Sequence, residues 1–195
     1  MILVDNALKA REEQQKPIRV GMLGAGFMAQ GLTNQITNSV PGMKMAAVYS
    51  RQPQKGLQIY SYAGLDDVIV ANTQSELNDA IRAGKPVVTE NAMLLAQSEN
   101  LDLIVDTTGS VEFGAQVALE AFQHGKDVVM LNAEIDATIG PILQTYAAKH
   151  GVILSACDGD EPGIQVNLYR WVKGLGLTPR VMGNIKGLQD PYRNP

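Results

Sequence analysis

Val20-Gly-Met-Leu-Gly-Ala-Gly-Phe-Met-Ala-Gln-Gly31 is the stretch that decides the fold. The apolar run over residues 18–23 predicts a buried strand, and the glycine-rich turn behind it leads into a helix. Gly24, Gly26 and Ala29 match the pattern G-x-G-x-x-G/A, in which the second glycine lets the backbone approach a pyrophosphate. A strand, turn and helix without a ligand is the alternative. We expect the phosphates at the start of the helix, on Gly24, Ala25, Gly26, Phe27 and Met28.

Apolar runs and segments of helical periodicity alternate along the rest of the chain. They predict further strands over 43–49, 101–106, 127–131 and 152–156, whereas 53–66 is predicted to be loosely structured. Alternating strands and helices indicate an α/β fold with a doubly wound parallel sheet, the Rossmann architecture of NAD(P)-binding domains.

The predicted domain organisation has three parts. A helical extension covers residues 1–16 and the dinucleotide-binding Rossmann domain covers 17–178. Residues 179–195 are predicted to be the start of a catalytic domain, so the fold is expected to be truncated before the domain that holds substrate.

Composition excludes several classes of partner. The chain has 195 residues, a formal net charge of −4 and 18% charged residues, which offers no basic footprint for nucleic acid. No apolar run is long enough to span a membrane. Cys157 is the only cysteine, which excludes an internal disulfide and suits a reducing cytoplasm. The sequence therefore predicts a cytoplasmic protein that binds a small-molecule substrate, not nucleic acid or a membrane.

The end of the second predicted strand favours NADP over NAD. NAD-binding folds usually place Asp or Glu there to accept hydrogen bonds from the ribose. Here the sequence is Tyr49-Ser-Arg-Gln52, without a carboxylate. Arg51 offers a cationic fork and Ser50 a hydroxyl, both suited to a 2′-phosphate. A solvated loop arginine is the alternative.

Two further strand ends fall at the expected cofactor edge. Thr107, Thr108 and Gly109 follow one strand and are predicted to lie beside the nicotinamide ribose. Asn132, Ala133 and Glu134 follow the next strand. Asn132 is a candidate hydrogen-bond partner of nicotinamide or substrate, and Glu134 a candidate to act on a substrate hydroxyl. Glu134 also suits the start of a helix, where acidic residues are favoured without any catalytic role.

The acidic loop at Cys157-Asp-Gly-Asp-Glu-Pro-Gly163 is the candidate catalytic segment. Asp158, Asp160 and Glu161 offer oxygen ligands of the kind that Mg²⁺ or Mn²⁺ prefers. Helix capping by Asp160 or Glu161 ahead of Pro162 is the alternative, so whether a metal binds stays open. Lys186 is a further candidate that would supply a cation, or simply a solvated lysine.

With these segments the chain resembles the homoserine-dehydrogenase-like NAD(P)-binding oxidoreductases. The closer resemblance is to the branch that carries a C-terminal SAF domain and includes deoxyxylulose-phosphate reductoisomerase-like enzymes. The segments that carry it are Gly24 to Ala29, Asp106 to Gly109, Met130 to Asp136, Asp158 to Gly163 and Gly183 to Tyr192.

The resemblance implies an NADP-linked oxidoreductase that acts on a small polar or phosphorylated hydroxy or keto substrate. In the reductoisomerase-like members, a metal-assisted rearrangement precedes hydride transfer. Homoserine dehydrogenases proper carry Asn-Lys where this chain has Asn132-Ala-Glu134, which removes that lysine. A homoserine-dehydrogenase-type enzyme and a non-catalytic NAD(P) sensor are the alternatives. In the full-length protein we expect a homo-oligomer.

Overall fold

The computed structural model describes residues 3–157 and 163–183. The strands are β1 Ile18–Leu23, β2 Met43–Tyr49, β3 Ile69–Val70, β4 Val87–Thr89, β5 Leu103–Asp106, β6 Asp127–Met130 and β7 Leu154–Ala156. The helices are α1 Leu3–Glu13, α2 Phe27–Ser39, α3 Pro53–Tyr62, α4 Gln74–Arg82, α5 Ala92–Gln97, α6 Val111–Gln123, α7 Ala133–His150 and α8 Gly163–Gly174.

The strands of the described chain form one parallel sheet of seven, in the order β3-β4-β2-β1-β5-β6-β7. The strand order reverses at β1, which pairs with β2 on one side and β5 on the other. Leu23, the last residue of β1, lies opposite both Tyr49 and Asp106. The three strands therefore end at the same level, and their turns surround the crevice where doubly wound sheets bind ligands.

Apolar side chains cover both faces of this sheet. Ala29, Ile36, Ile59 and Tyr60 of α2 and α3 pack on one face. Apolar residues of α4, α5, α6 and α7 pack on the other. Strands buried on both faces explain the continuous apolar runs of the sequence, and the arrangement confirms the predicted Rossmann fold.

The segment 53–66 was wrongly predicted to be loose, because it contains the helix α3. Pro53 occupies its first turn, where a missing N–H costs nothing. Gly56 looks like a helix breaker, yet an added Cβ there would lie 2.7 Å from Val88 Cγ1. Glycine therefore lets the helix approach β4, while Ile59 and Tyr60 are buried.

The helix α7 begins at Ala133, close behind β6. Asn132 is its N-cap, and its side-chain oxygen accepts a hydrogen bond from the Ile135 N–H at 3.3 Å. Because Asn is among the best N-cap residues, the cap fixes where the helix starts.

The chain divides into two compact units, residues 1–156 and 157–195. The sheet belongs to the first unit and α8 to the second. The three-part division predicted from sequence, with a boundary at residue 178, stays a prediction. Among the residues that the structure describes, no helix has both the length and the hydropathy needed to cross a membrane.

Candidate functional site

A cavity of about 760 Å³ opens at the carboxyl ends of β1, β2 and β5. Its walls come from the glycine turn behind β1, the turn behind β2 with the start of α3, and the loop between β5 and α6. The lining residues are Gly24, Ala25, Gly26, Tyr49, Ser50, Arg51, Gln52, Lys55, Thr107, Thr108, Ser110 and Phe113. All of them lie in the first unit.

The two glycines of the turn behind β1 have different roles in shaping the cavity. Gly24 has φ +118°, and an added Cβ would lie 2.7 Å from Thr107 Oγ1, so only glycine suits this position. Gly26, the N-cap of α2, has φ −91°, and an added Cβ would meet no atom within 4 Å. No side chain caps the start of α2, and the first turn of this helix carries no acidic residue. The open space there can therefore accept a phosphate.

The turn behind β2 is built by the Ser50 hydroxyl. Its Oγ donates to the Gln52 carbonyl at 2.7 Å and accepts from the Gln52 N–H at 3.2 Å. A serine hydroxyl carries a single proton, and here that proton is already donated within the turn. Ser50 is also buried, so its side chain shapes the cavity wall that carries Arg51.

Tyr49 and Phe113 place aromatic rings on the lining between this turn and the loop behind β5. Their centroids are 5.4 Å apart and their planes are tilted by 34°. Burial raises the pKa of the Tyr49 hydroxyl, and the nearby Arg51 charge opposes that shift. The phenol is therefore neutral at physiological pH, and it contributes an apolar wall with a hydroxyl at its edge.

Arg51 and Lys55 are the charged residues of the lining, and both are exposed. No carboxylate lines the cavity in the part of the chain that the structure describes. Within the same residues, neither cation forms an ion pair. The wall behind β2 is therefore positively charged and can attract an anionic ligand.

The loop behind β5 is held by a buried hydrogen-bond network. Asp106 Oδ1 accepts from the N–H and the hydroxyl of Thr108, each at 2.8 Å. Asp106 Oδ2 accepts from Asn132 Nδ2 at 3.1 Å, and Asp106 and Asn132 are each 1% exposed. The Asn132 amide also donates to the Ser110 carbonyl at 3.2 Å. This network fixes Thr108 and Ser110 on the cavity wall, while the Thr107 hydroxyl donates to the Leu23 carbonyl at 2.9 Å.

The other predicted site residues that the structure describes lie outside the cavity lining. Phe27 and Met28 are 86% and 53% exposed and belong to the first turn of α2, outside the lining. Gly109, Asn132 and Ala133 are also outside the lining. Glu134 is exposed and reaches the loop behind β5, since its Oε2 lies 4.0 Å from the position of a Cβ added at Gly109.

The candidate catalytic residues Asp160, Glu161 and Lys186 lie outside the described residues, as does Asp158. Within residues 3–157 and 163–183, His, Cys, Asp and Glu side chains form no group of three or more that could hold a metal. The predicted Mg²⁺ or Mn²⁺ site therefore remains a prediction.

Sequence reasoning missed Lys55, Tyr49 and Phe113 as cavity residues. Lys55 was missed because the sequence around it was not recognised as a helix, so nothing placed its side chain at the end of β2. Phe113 belongs to the first turn of α6, and only tertiary packing brings its ring to Tyr49.

Comparison with known proteins gives a family match over most of the first unit. The model of the homoserine dehydrogenase NAD-binding domain matches residues 24–155. The homoserine dehydrogenase of Pseudomonas aeruginosa is 23% identical over 170 residues, covering 82% of this chain and 36% of that protein. That of Methylobacillus glycogenes is 26% identical over 183 residues, covering 88% of this chain and 41% of that protein.

A solved structure supports the same fold. The homoserine dehydrogenase of Thiobacillus denitrificans superposes with a TM-score of 0.53 at 22% identity, over 72% of this chain and 29% of that chain. The present chain thus spans well under half the length of the relatives that it matches.

Proposed function

We propose the function of this chain from one premise, that it belongs to the homoserine dehydrogenase NAD-binding domain family. It binds a nicotinamide dinucleotide in the cavity at the carboxyl ends of β1, β2 and β5, and it prefers NADP to NAD. It serves an oxidoreductase of the homoserine-dehydrogenase type, which acts on a small polar substrate that carries a hydroxyl or keto group.

Two observations support a dinucleotide as the ligand of this cavity. Gly26 leaves open space at the start of α2, where a side chain would meet the diphosphate. Among the described residues, the lining carries Arg51 and Lys55 without an opposing carboxylate, so it can balance the charge of a phosphorylated ligand. The second observation carries the preference for NADP, because an NAD site normally has an acidic residue at the end of β2.

Each wall of the cavity then has a function in binding. Residues 24–28 hold the diphosphate, and Arg51 faces the 2′-phosphate from the turn that Ser50 builds. Thr107, Thr108 and Gly109 border the nicotinamide ribose, and the buried Asn132 keeps that loop in position at the start of α7. When bound, the nicotinamide accepts or supplies the hydride, while the protein orients it.

Glu134, Asp160, Glu161 and Lys186 are the residues proposed to act on the substrate. Glu134 lies beside the loop behind β5, within reach of a substrate placed against the nicotinamide. Asp160, Glu161 and Lys186 stay candidates for catalysis from their sequence alone, and the two acidic residues are candidate ligands of Mg²⁺ or Mn²⁺. Residues from 179 onward are proposed to begin the domain that holds substrate.

Turnover tests the oxidoreductase proposal. The full-length protein is incubated with NADP⁺ and L-homoserine, and NADPH absorbance is followed. The proposal expects NADPH to accumulate, at a rate that falls when Glu134 is replaced by glutamine. A protein that binds NADPH tightly but turns over neither homoserine nor related small hydroxy acids would be a binding module, and the enzymatic proposal would be wrong.

Substitution of Arg51 tests the preference for NADP. Arg51→Met is expected to weaken NADPH binding roughly 10- to 100-fold, the effect of losing one charge-assisted contact to a phosphate, and to leave NADH affinity unchanged. Arg82→Met is the matched control, because Arg82 is also exposed and its contacts are a surface ion pair with Asp79 and a hydrogen bond to the Asn78 carbonyl. Fluorescence titration of both variants gives the affinities. Equal losses for NADPH and NADH would show that Arg51 does not read the 2′-phosphate.

A further inference from the structure

Lys55 shares the cavity wall with Arg51, although the two residues belong to different segments. Arg51 lies in the turn behind β2, and Lys55 in the first turn of α3. The Lys55 N–H donates to the Gln52 carbonyl at 2.9 Å, which ties the start of α3 to that turn. The turn and the helix therefore present the two cations to one space.

The predicted partner of Arg51 is less suitable for binding an anion. A phosphate needs hydrogen-bond donors, and the only proton of the Ser50 hydroxyl is donated to the Gln52 carbonyl. Lys55 has three donors and a full charge, and it forms no ion pair among the described residues. Of these two side chains, Lys55 is the one with free donors.

The positive charge of the cavity lining suits a ligand that carries a further phosphate besides the diphosphate. The start of α2 already provides backbone N–H groups for two phosphates linked in a chain. The wall behind β2 adds two cations, and no carboxylate from residues 3–157 or 163–183 lines the cavity. The two cations are suited to an additional phosphate that carries close to two negative charges.

We propose that Lys55 and Arg51 together form a two-cation site for the phosphate on the adenosine ribose of the ligand, and that the Ser50 hydroxyl builds the turn between them. Lys55 is thus a specificity-determining residue. This inference rests on the proposed preference for NADP and adds a second ligand for the same phosphate.

The test compares Lys55→Met, Lys55→Arg and Arg51→Met, titrated with NADPH, NADH, 2′,5′-ADP and 5′-AMP. Lys55→Met is expected to weaken NADPH and 2′,5′-ADP binding roughly tenfold, while NADH and 5′-AMP stay within about twofold. Lys55→Arg keeps the charge and retains the preference. Lys149→Met is the matched control, since Lys149 is an exposed lysine in the last turn of α7, outside the lining. Unfolding temperatures verify that each variant is folded.

The outcomes separate this inference from the proposed function. If Arg51→Met removes the preference for NADPH and Lys55→Met does not, the role of Lys55 is wrong and the proposed function stands. If Lys55→Met weakens NADPH and NADH equally, Lys55 binds the diphosphate and the inference is also wrong. If the unmodified chain binds NADPH and NADH with the same affinity, the proposed preference for NADP is wrong. The two-cation site is then wrong as well.

Discussion

Replacing Gly26 with valine is expected to weaken dinucleotide binding roughly 10- to 100-fold while the chain keeps its fold. The backbone at Gly26, with φ −91° and ψ −169°, is extended and accepts any residue. An added Cβ meets no protein atom within 4 Å, so the new side chain extends into open space. That space is where the diphosphate is proposed to approach the start of α2. Calorimetric titration with NADPH and thermal unfolding measure the two effects.

Gly31→Val is the matched control for this prediction. Gly31 lies in the same helix, is exposed, has no atom within 4 Å of an added Cβ, and is outside the cavity lining. We expect it to bind NADPH like the unmodified chain. Because valine caps a helix less well than glycine, Gly26→Val should lower the unfolding temperature by less than about 4 °C. If Gly26→Val binds NADPH normally, the diphosphate does not lie against this turn.

Asn132→Asp is expected to destabilise the fold by roughly 3–5 kcal/mol near neutral pH. Aspartate keeps the side-chain oxygen that accepts from the Ile135 N–H, so the cap of α7 is retained. What changes is the amide nitrogen, which donates to Asp106 Oδ2 at 3.1 Å and becomes a second buried carboxylate oxygen. Two buried carboxylates at that distance cannot both be ionised. Chemical unfolding measures the loss.

The pH dependence of the same variant identifies the cause. One proton shared between the two carboxyls of the folded variant relieves the repulsion, and the unfolded chain binds that proton only at lower pH. The destabilisation is therefore expected to grow as the pH rises, because the folded variant then loses the shared proton. Asn91→Asp is the control, because Asn91 caps α5 through a hydrogen bond from the Met93 N–H and lies exposed. A destabilisation of Asn132→Asp that is independent of pH would contradict the role assigned to the Asp106–Asn132 contact.

The sequence was sufficient for the architecture because strands buried on both faces leave unmistakable apolar runs. The run over 18–23 and the glycine turn behind it predicted β1 and the helix that follows it, and the structure confirms both elements. The predicted homoserine-dehydrogenase-like relationship is confirmed by the family match over residues 24–155. The SAF-domain branch and the reductoisomerase-like chemistry stay predictions, and the comparisons favour the homoserine-dehydrogenase type.

Sequence patterns did not reveal which hydrogen bonds each polar side chain forms within the fold. Ser50 has a hydroxyl suited to a phosphate, but this hydroxyl donates its proton to the carbonyl of Gln52, two positions away. Asn132 has the right position for nicotinamide, but Asp106, 26 residues earlier, engages its amide inside the fold. Lys55 went unnoticed because Gly56 beside it suggests a broken helix, and only the packing of α3 on β4 explains that glycine.

The cavity is proposed to bind a nicotinamide dinucleotide and to distinguish NADP from NAD by the extra phosphate of NADP. Isothermal titration of the unmodified chain with NADPH and with NADH, in the same buffer and at the same ionic strength, tests it most directly. We expect NADPH to bind at least about tenfold more tightly, because Arg51 and Lys55 are proposed to contact a phosphate that NADH lacks. Equal affinities, tighter binding of NADH, or no binding of either would contradict it.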